Sequence, residues 1–217
     1  MGRPRTPKGR AKVVTQRLAA EFPGTANQLC ALNYSTPFEL LAATILSAQC
    51  TDTRVNLVTP QLFAAYPDPS ALAHADPERV EAIIRTTGFF RAKTKNLIGM
   101  AQAIDARFAG EVPTDIADLV TVPGVSRKTA NVVRSVAFGL PGLPVDTHVL
   151  RVSKRLGLTE FEDPVKVEHA LNALIAPADR GAFSLRMILH GRATCRARTP
   201  GCGRCVLADI CPSAPTA

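Results

Sequence analysis

Cys195, Cys202, Cys205 and Cys211 stand in the spacing C-x6-C-x2-C-x5-C within 17 residues, in a chain with only two other cysteines, Cys30 and Cys50. Four thiols this close form a metal-binding pattern. Two disulfides are the alternative in an oxidising compartment, but the first residues carry no apolar run of the kind a secretory signal needs. Four-thiolate zinc sites usually pair two C-x2-C knuckles far apart in sequence. Here a single C-x2-C is flanked by single cysteines, a layout suited to wrapping one compact cube. An iron-sulfur centre, as a [4Fe-4S] cluster on four thiolates, is therefore preferred to zinc, with disulfides third.

A second stretch with chemical content is Leu119-Val120-Thr121-Val122-Pro123-Gly124-Val125-Ser126-Arg127-Lys128-Thr129-Ala130-Asn131-Val132-Val133. It reads as helix, tight Pro-Gly turn, helix. Such a hairpin aims the first N–H groups of its second helix outward, where the positive end of the helix dipole holds a phosphate without reading a base. An ordinary helix corner is the plainer reading. Lys128 falls in the first turn of the second helix, where the dipole disfavours a cation, and an amine with a reduced tendency to be protonated is a nucleophile. Eighteen residues on, Val145-Asp146-Thr147-His148-Val149 opens another helix. Asp146 is an N-cap by position, and a carboxylate near Lys128 would also shuttle its proton or steady a positive sugar.

The elements that must position these groups are helical. Apolar residues recur at three- and four-residue spacing in Phe38-Leu41-Ile45, Val80-Ile83-Ile84, Leu97-Met100-Ile104, Val132-Val133-Val136 and Leu185-Ile188-Leu189, and strand-like alternation is absent. Start signals stand at Ser35 or Thr36 before Pro37, at Asp76-Pro77-Glu78 and at Asp163-Pro164. About ten short helices fit. The chain has 217 residues, is 46% hydrophobic, and lacks any apolar run near the ~20 residues needed to span a membrane.

Lys and Arg number 26 against 18 Asp and Glu, a formal charge of +8. The excess is clustered. Arg3, Arg5, Lys8, Arg10, Lys12 and Arg17 open the chain without an acid, and Arg180, Arg186, Arg192, Arg196, Arg198 and Arg204 surround the cysteines without one. A [4Fe-4S]2+ unit on four thiolates carries a net charge of only about −2, so the surplus points to a polyanion, and nucleic acid is the preferred partner.

Together these motifs resemble the endonuclease III family of DNA glycosylases with AP-lyase activity, from about residue 8 to 212. The resemblance rests on Leu46-Ser47-Ala48-Gln49 with Thr51-Asp52, the hairpin with Lys128, Val145-Asp146-Thr147-His148, Leu189-His190-Gly191-Arg192 leading into Cys195, and the cysteine spacing. It implies an all-α fold in two helical domains: a six-helix barrel with the helix-hairpin-helix over residues 30–138, and a cluster domain built from residues 1–29 and 139–217, with DNA in the cleft between. It implies double-stranded DNA carrying a damaged pyrimidine or an abasic site as partner, and a [4Fe-4S] cluster on Cys195, Cys202, Cys205 and Cys211. The implied reaction flips out an oxidised pyrimidine, lets Lys128 attack the sugar C1′, and cleaves the strand by β-elimination through a lysine Schiff base, assisted by Asp146. The implied DNA contacts are Gln49, which fills the gap left by the base, Phe89, Arg91, Lys93, Gly124, Ser126 and His148.

The chain departs from the family pattern at several points. Ser126 stands where a second hairpin glycine is usual, which would strain the turn if that position is left-handed. Phe89-Phe90 replaces the usual leucine wedge, with Phe90 the one expected in the core. Cys50 is expected as a buried thiol packing like a small hydrophobe. A related adenine glycosylase without lyase activity is the nearer alternative. Lys128, and a chain ending soon after Cys211 where that enzyme carries a further recognition domain, speak against it. A non-catalytic DNA-binding module is the alternative from another class. A monomer in the cytoplasm, with no membrane partner, is expected.

Overall fold

The computed structural model describes residues 4–215, so Arg3 and Ala217 lie outside the described residues. Within them the chain is helical without a strand: α1 (Pro7–Glu21), α2 (Ala26–Leu29), α3 (Pro37–Leu46), α4 (Asp52–Ala65), α5 (Pro69–Ala73), α6 (Pro77–Ile84), α7 (Phe90–Phe108), α8 (Ile116–Leu119), α9 (Arg127–Val136), α10 (Thr147–Arg155), α11 (Pro164–Leu174) and α12 (Arg180–Ala193). The all-α expectation holds. These helices exceed the expected ten because α2, α5 and α8 are only four or five residues long, too short to show a period. The start signals are real. Thr36 accepts from Glu39 N, Asp76 from Glu78 N, and Asp163 from Val165 N and Lys166 N, each just ahead of a proline in the first turn.

The chain divides into two compact units, Cys30–Phe138 and the combined Met1–Leu29 with Gly139–Ala217. In the first, α7 packs against α3, α5 and α6, and α9 against α3 and α8. Leu41, Leu62, Leu72, Ile84, Leu97, Met100, Ile104 and Leu119 are fully buried in that unit. In the second, α12 packs against α1 and α10 around Leu18, Val149, Val152, Leu171, Phe183 and Met187, and Leu207 and Ile210 bring the cysteine-rich segment onto the same core. No helix among the described residues is long and apolar enough to cross a membrane.

Candidate active site and cysteine-lined cavity

In the hairpin, Val122 N–H donates to Leu119 O and Val125 N–H to Val122 O, and Gly124 turns the chain with φ +76°. A Cβ at Gly124 would stand 2.9 Å from Asn96 Cβ, and one at Gly99 3.2 Å from Pro123 Cβ. Gly124 is thus required twice, for its backbone angle and for the seat of the hairpin on α7. Lys128 is the second residue of α9 and is exposed. The first turn of α9 holds no acid, and Arg127 and Lys128 stand at its positive end.

Ser126 is not left-handed. Its φ of −79° is ordinary extended backbone, and it is the N-cap of α9, with Oγ accepting from Thr129 N at 3.1 Å and lying 3.0 Å from Thr129 Oγ1. The expected strain is therefore absent, because the positive φ of this turn falls on Gly124 instead. Ser126→Ala should cost about 1 kcal/mol and lower the melting temperature by about 2–4 °C, and Ser126→Gly should cost only a few tenths. A higher melting temperature for Ser126→Gly would contradict the cap.

Strain appears elsewhere in the same unit. Gln49 (φ +52°) and Phe89 (φ +48°) are non-glycine residues in the left-handed region, a conformation costing about 1–2 kcal/mol each. Both are exposed, Phe89 to 68% of its surface. Phe90, the expected core residue of the pair, is half-buried with Arg91 over its ring. Arg91 is exposed and within 3.9 Å of Glu81.

Lys93 corrects the sequence reading. Expected on the DNA surface, it is 4% exposed, and its Nζ donates to Thr87 O at 2.8 Å. Burial pushes its pKa down from the ordinary lysine value, while the nearby Cys50 thiol acts the other way. Cys50 is half-buried rather than buried, because it follows the left-handed Gln49 on an exposed turn.

In the other unit, Asp146 caps α10. Its Oδ1 accepts from His148 N at 2.8 Å and Val149 N at 2.9 Å, so both bonds fall on one oxygen. His148 is half-buried, and its Nδ1 accepts from Arg151 Nη2 at 3.1 Å. Burial pushes its pKa down, with Arg151 and Arg192 in the same direction and Asp146 opposing. A neutral ring held by Arg151 serves α10 as much as any ligand.

Cys195, Cys202, Cys205 and Cys211 all line one cavity of about 190 Å³, with Val152, Leu156 and His190 in its wall. None of the six cysteines is in a disulfide, which removes the third reading of the spacing. No three His, Cys, Asp or Glu side chains among the described residues converge to hold a single metal ion. Four thiols lining one cavity are a donor set for a metal centre. Burial pushes the Cys205 and Cys211 thiols up, so they hold their protons unless a metal takes them.

Sequence reading missed the groups that dress this cavity. Arg155 Nη1 lies 3.4 Å from Cys195 Sγ and donates to Arg196 O, and its Nη2 donates to Ala197 O, both at 2.7 Å. Arg151 donates to Cys195 O and Gly191 O. His190 Nε2 lies 3.5 Å from Cys205 Sγ, with Glu21 Oε2 at 3.3 Å from its Nδ1. The available signal was the i, i+4 pair Arg151 and Arg155 at the end of α10. Conversely, three arginines counted toward a basic surface bind backbone carbonyls: Arg180 those of Ile175 and Asn172, Arg186 those of Phe22 and Gly24, and Arg204 that of Ala193. Arg192, Arg196 and Arg198 remain exposed.

Residues 42–177 match the family described as HhH-GPD superfamily base excision DNA repair protein. A curated relative, endonuclease III of Synechocystis sp., is 53% identical over 208 residues, covering 95% of this chain and 94% of its own. A solved non-covalent endonuclease III–DNA complex superposes with a TM-score of 0.88 at 41% identity, over 95% of this chain and 96% of the other. A trapped endonuclease III–DNA covalent intermediate agrees equally well, with the same score, identity and coverage. With the hairpin, the helix-capping aspartate and the cysteine-lined cavity in place along a sequence this similar, the chain belongs to the endonuclease III family of the HhH-GPD superfamily of base excision DNA repair proteins.

Proposed function

We propose that this chain, a base excision DNA glycosylase and AP lyase, removes oxidised pyrimidines from double-stranded DNA and forms its Schiff base through Lys128. The observation that carries the assignment is the placement of Lys128: an exposed primary amine at the positive end of α9, directly after a hairpin suited to holding phosphate. A relative 41% identical has been trapped in a covalent complex with DNA, and such a complex needs a protein nucleophile.

The Lys128 amine attacks C1′ of the damaged nucleotide, the N-glycosidic bond breaks, and the base leaves with the electron pair and takes up a proton. The amine nitrogen gives up a proton and its lone pair opens the C1′–O4′ bond, O4′ taking up a proton; the iminium so formed at C1′ acidifies C2′–H, loss of that proton breaks the 3′ C–O bond and releases the phosphate, and water frees the lysine. Asp146 accepts the proton from the lysine and steadies the cationic sugar through the oxygen not used in capping. Gln49 and Phe89, exposed and left-handed, enter the duplex as the damaged base leaves it. Gly124 and Arg91 meet phosphate. Cys195, Cys202, Cys205 and Cys211 hold a [4Fe-4S] cluster, which fixes the segment carrying Arg196 and Arg198.

A duplex with one oxidised pyrimidine should be cut at that residue to a 3′ unsaturated aldehyde, and borohydride should convert part of it into a covalent protein–DNA species. Base release without strand scission would assign the chain instead to the monofunctional branch. In Asp146→Asn the cap survives, since Asn caps as well as Asp. The melting temperature should therefore hold while turnover falls about 100-fold or more. An unchanged rate would leave Asp146 a helix cap and nothing else.

A further inference from the structure

The turn that presents Phe89 is built with little support of its own. Gly88 has φ +71° with open space around it, and Phe89 opens α7 left-handed with no side-chain cap. Thr87 Oγ1 turns back to Ile84 O at 2.8 Å and so leaves its own carbonyl to another donor. That donor is Lys93, whose Nζ binds Thr87 O at 2.8 Å and whose backbone N–H binds Phe89 O at 3.0 Å. The backbone bond is the ordinary first turn of α7; the bond particular to this lysine is that of its side chain to the carbonyl ahead of Gly88, and the residue is 4% exposed, out of reach of a phosphate. A buried ammonium is costly unless it is hydrogen-bonded, so a lysine in this place is there for the carbonyl it binds.

We propose that Lys93 is a positioning residue whose side chain clamps the Thr87 carbonyl ahead of Gly88 and so holds Phe89 left-handed and exposed, in the orientation in which it enters DNA. The proposal rests on the reading of Phe89 as the inserting residue, and its test separates the two. The chain contains no tryptophan, so Phe89→Trp places a single indole at the site. In the free protein below its melting temperature, adding Lys93→Met should lower the anisotropy of that indole and raise its quenching by acrylamide. Lys93→Arg, which keeps a cationic donor on a long stem, should restore most of the difference.

With DNA, Lys93→Met should weaken binding to an abasic duplex roughly tenfold and to undamaged duplex far less, since insertion occurs only where a base has left. Unchanged anisotropy in a folded Lys93→Met protein overturns the clamp. If anisotropy falls while the indole emission ignores abasic DNA, the clamp stands and the insertion role of Phe89 is lost. Should Lys93→Met fail to fold, as judged by far-UV circular dichroism, Lys93→Gln is read in the same way.

Discussion

Borohydride added to Lys128→Ala with a duplex carrying an oxidised pyrimidine should trap no covalent species, while the same protein binds that duplex within a few-fold of the unaltered chain. The separation follows from where Lys128 sits. The proposed phosphate contacts are the turn around Gly124 and the first N–H groups of α9, and none of them needs the Lys128 side chain. Its removal takes away the proposed nucleophile and one unit of charge among several, so chemistry should stop and affinity should drop only modestly. Stability should be unaffected or slightly raised, since alanine favours helix and a cation is removed from the positive helix end. A trapped adduct surviving in Lys128→Ala would move the nucleophile elsewhere. Loss of binding together with loss of trapping would mean that Lys128 serves phosphate first.

What the sequence made legible, and what it hid, divides along physical lines. The helices were readable because burial imposes a period, and their starts because Thr36-Pro37, Asp76-Pro77 and Asp163-Pro164 each satisfy N–H groups that would otherwise lack partners. The four cysteines were readable because only a shared ligand makes such spacing worth keeping. Lys93 reads as a surface cation by its charge and as a core residue by its position. It stands four residues before Leu97, seven before Met100 and eleven before Ile104, on the buried stripe of α7, whereas Arg91 lies off that stripe. Counting its charge hid its phase. Left-handed Gln49 and Phe89 had no such signal, because a non-glycine side chain does not announce a positive φ; only the surrounding structure imposes it. Ser126 was weighed against a family glycine, yet serine ahead of a helix is first a cap, and local chemistry won over the analogy.

Freshly purified protein should be yellow-brown, with broad absorption at roughly 400 nm and iron and sulfide in about four equivalents each, as thiolate-to-iron charge transfer in a [4Fe-4S] centre requires. The segment that carries the cysteines explains why the effect of losing the centre should be large. From Thr194 onward the described chain has only two short 3-10 turns, Cys202–Arg204 and Ala208–Ile210, and its apolar anchors are Leu207 and Ile210. Arg155 and the Arg17–Asp209 pair tie it at its two ends, but the Arg17 and Asp209 side chains are 38% and 63% exposed, so that pair adds little. Four ligand bonds into the proposed cluster would add to the hold of those two anchors, and their free energy would be folding free energy. Cys202→Ser should therefore give insoluble or DNA-incompetent protein, because Arg196 and Arg198 lose their fixed place, whereas Cys50→Ser, outside the cavity, should remain soluble and active. Zinc without iron in fresh protein would overturn the cluster. A soluble, fully DNA-competent Cys202→Ser would show that the carbonyls held by Arg155 and the buried Leu207 and Ile210 order the segment unaided.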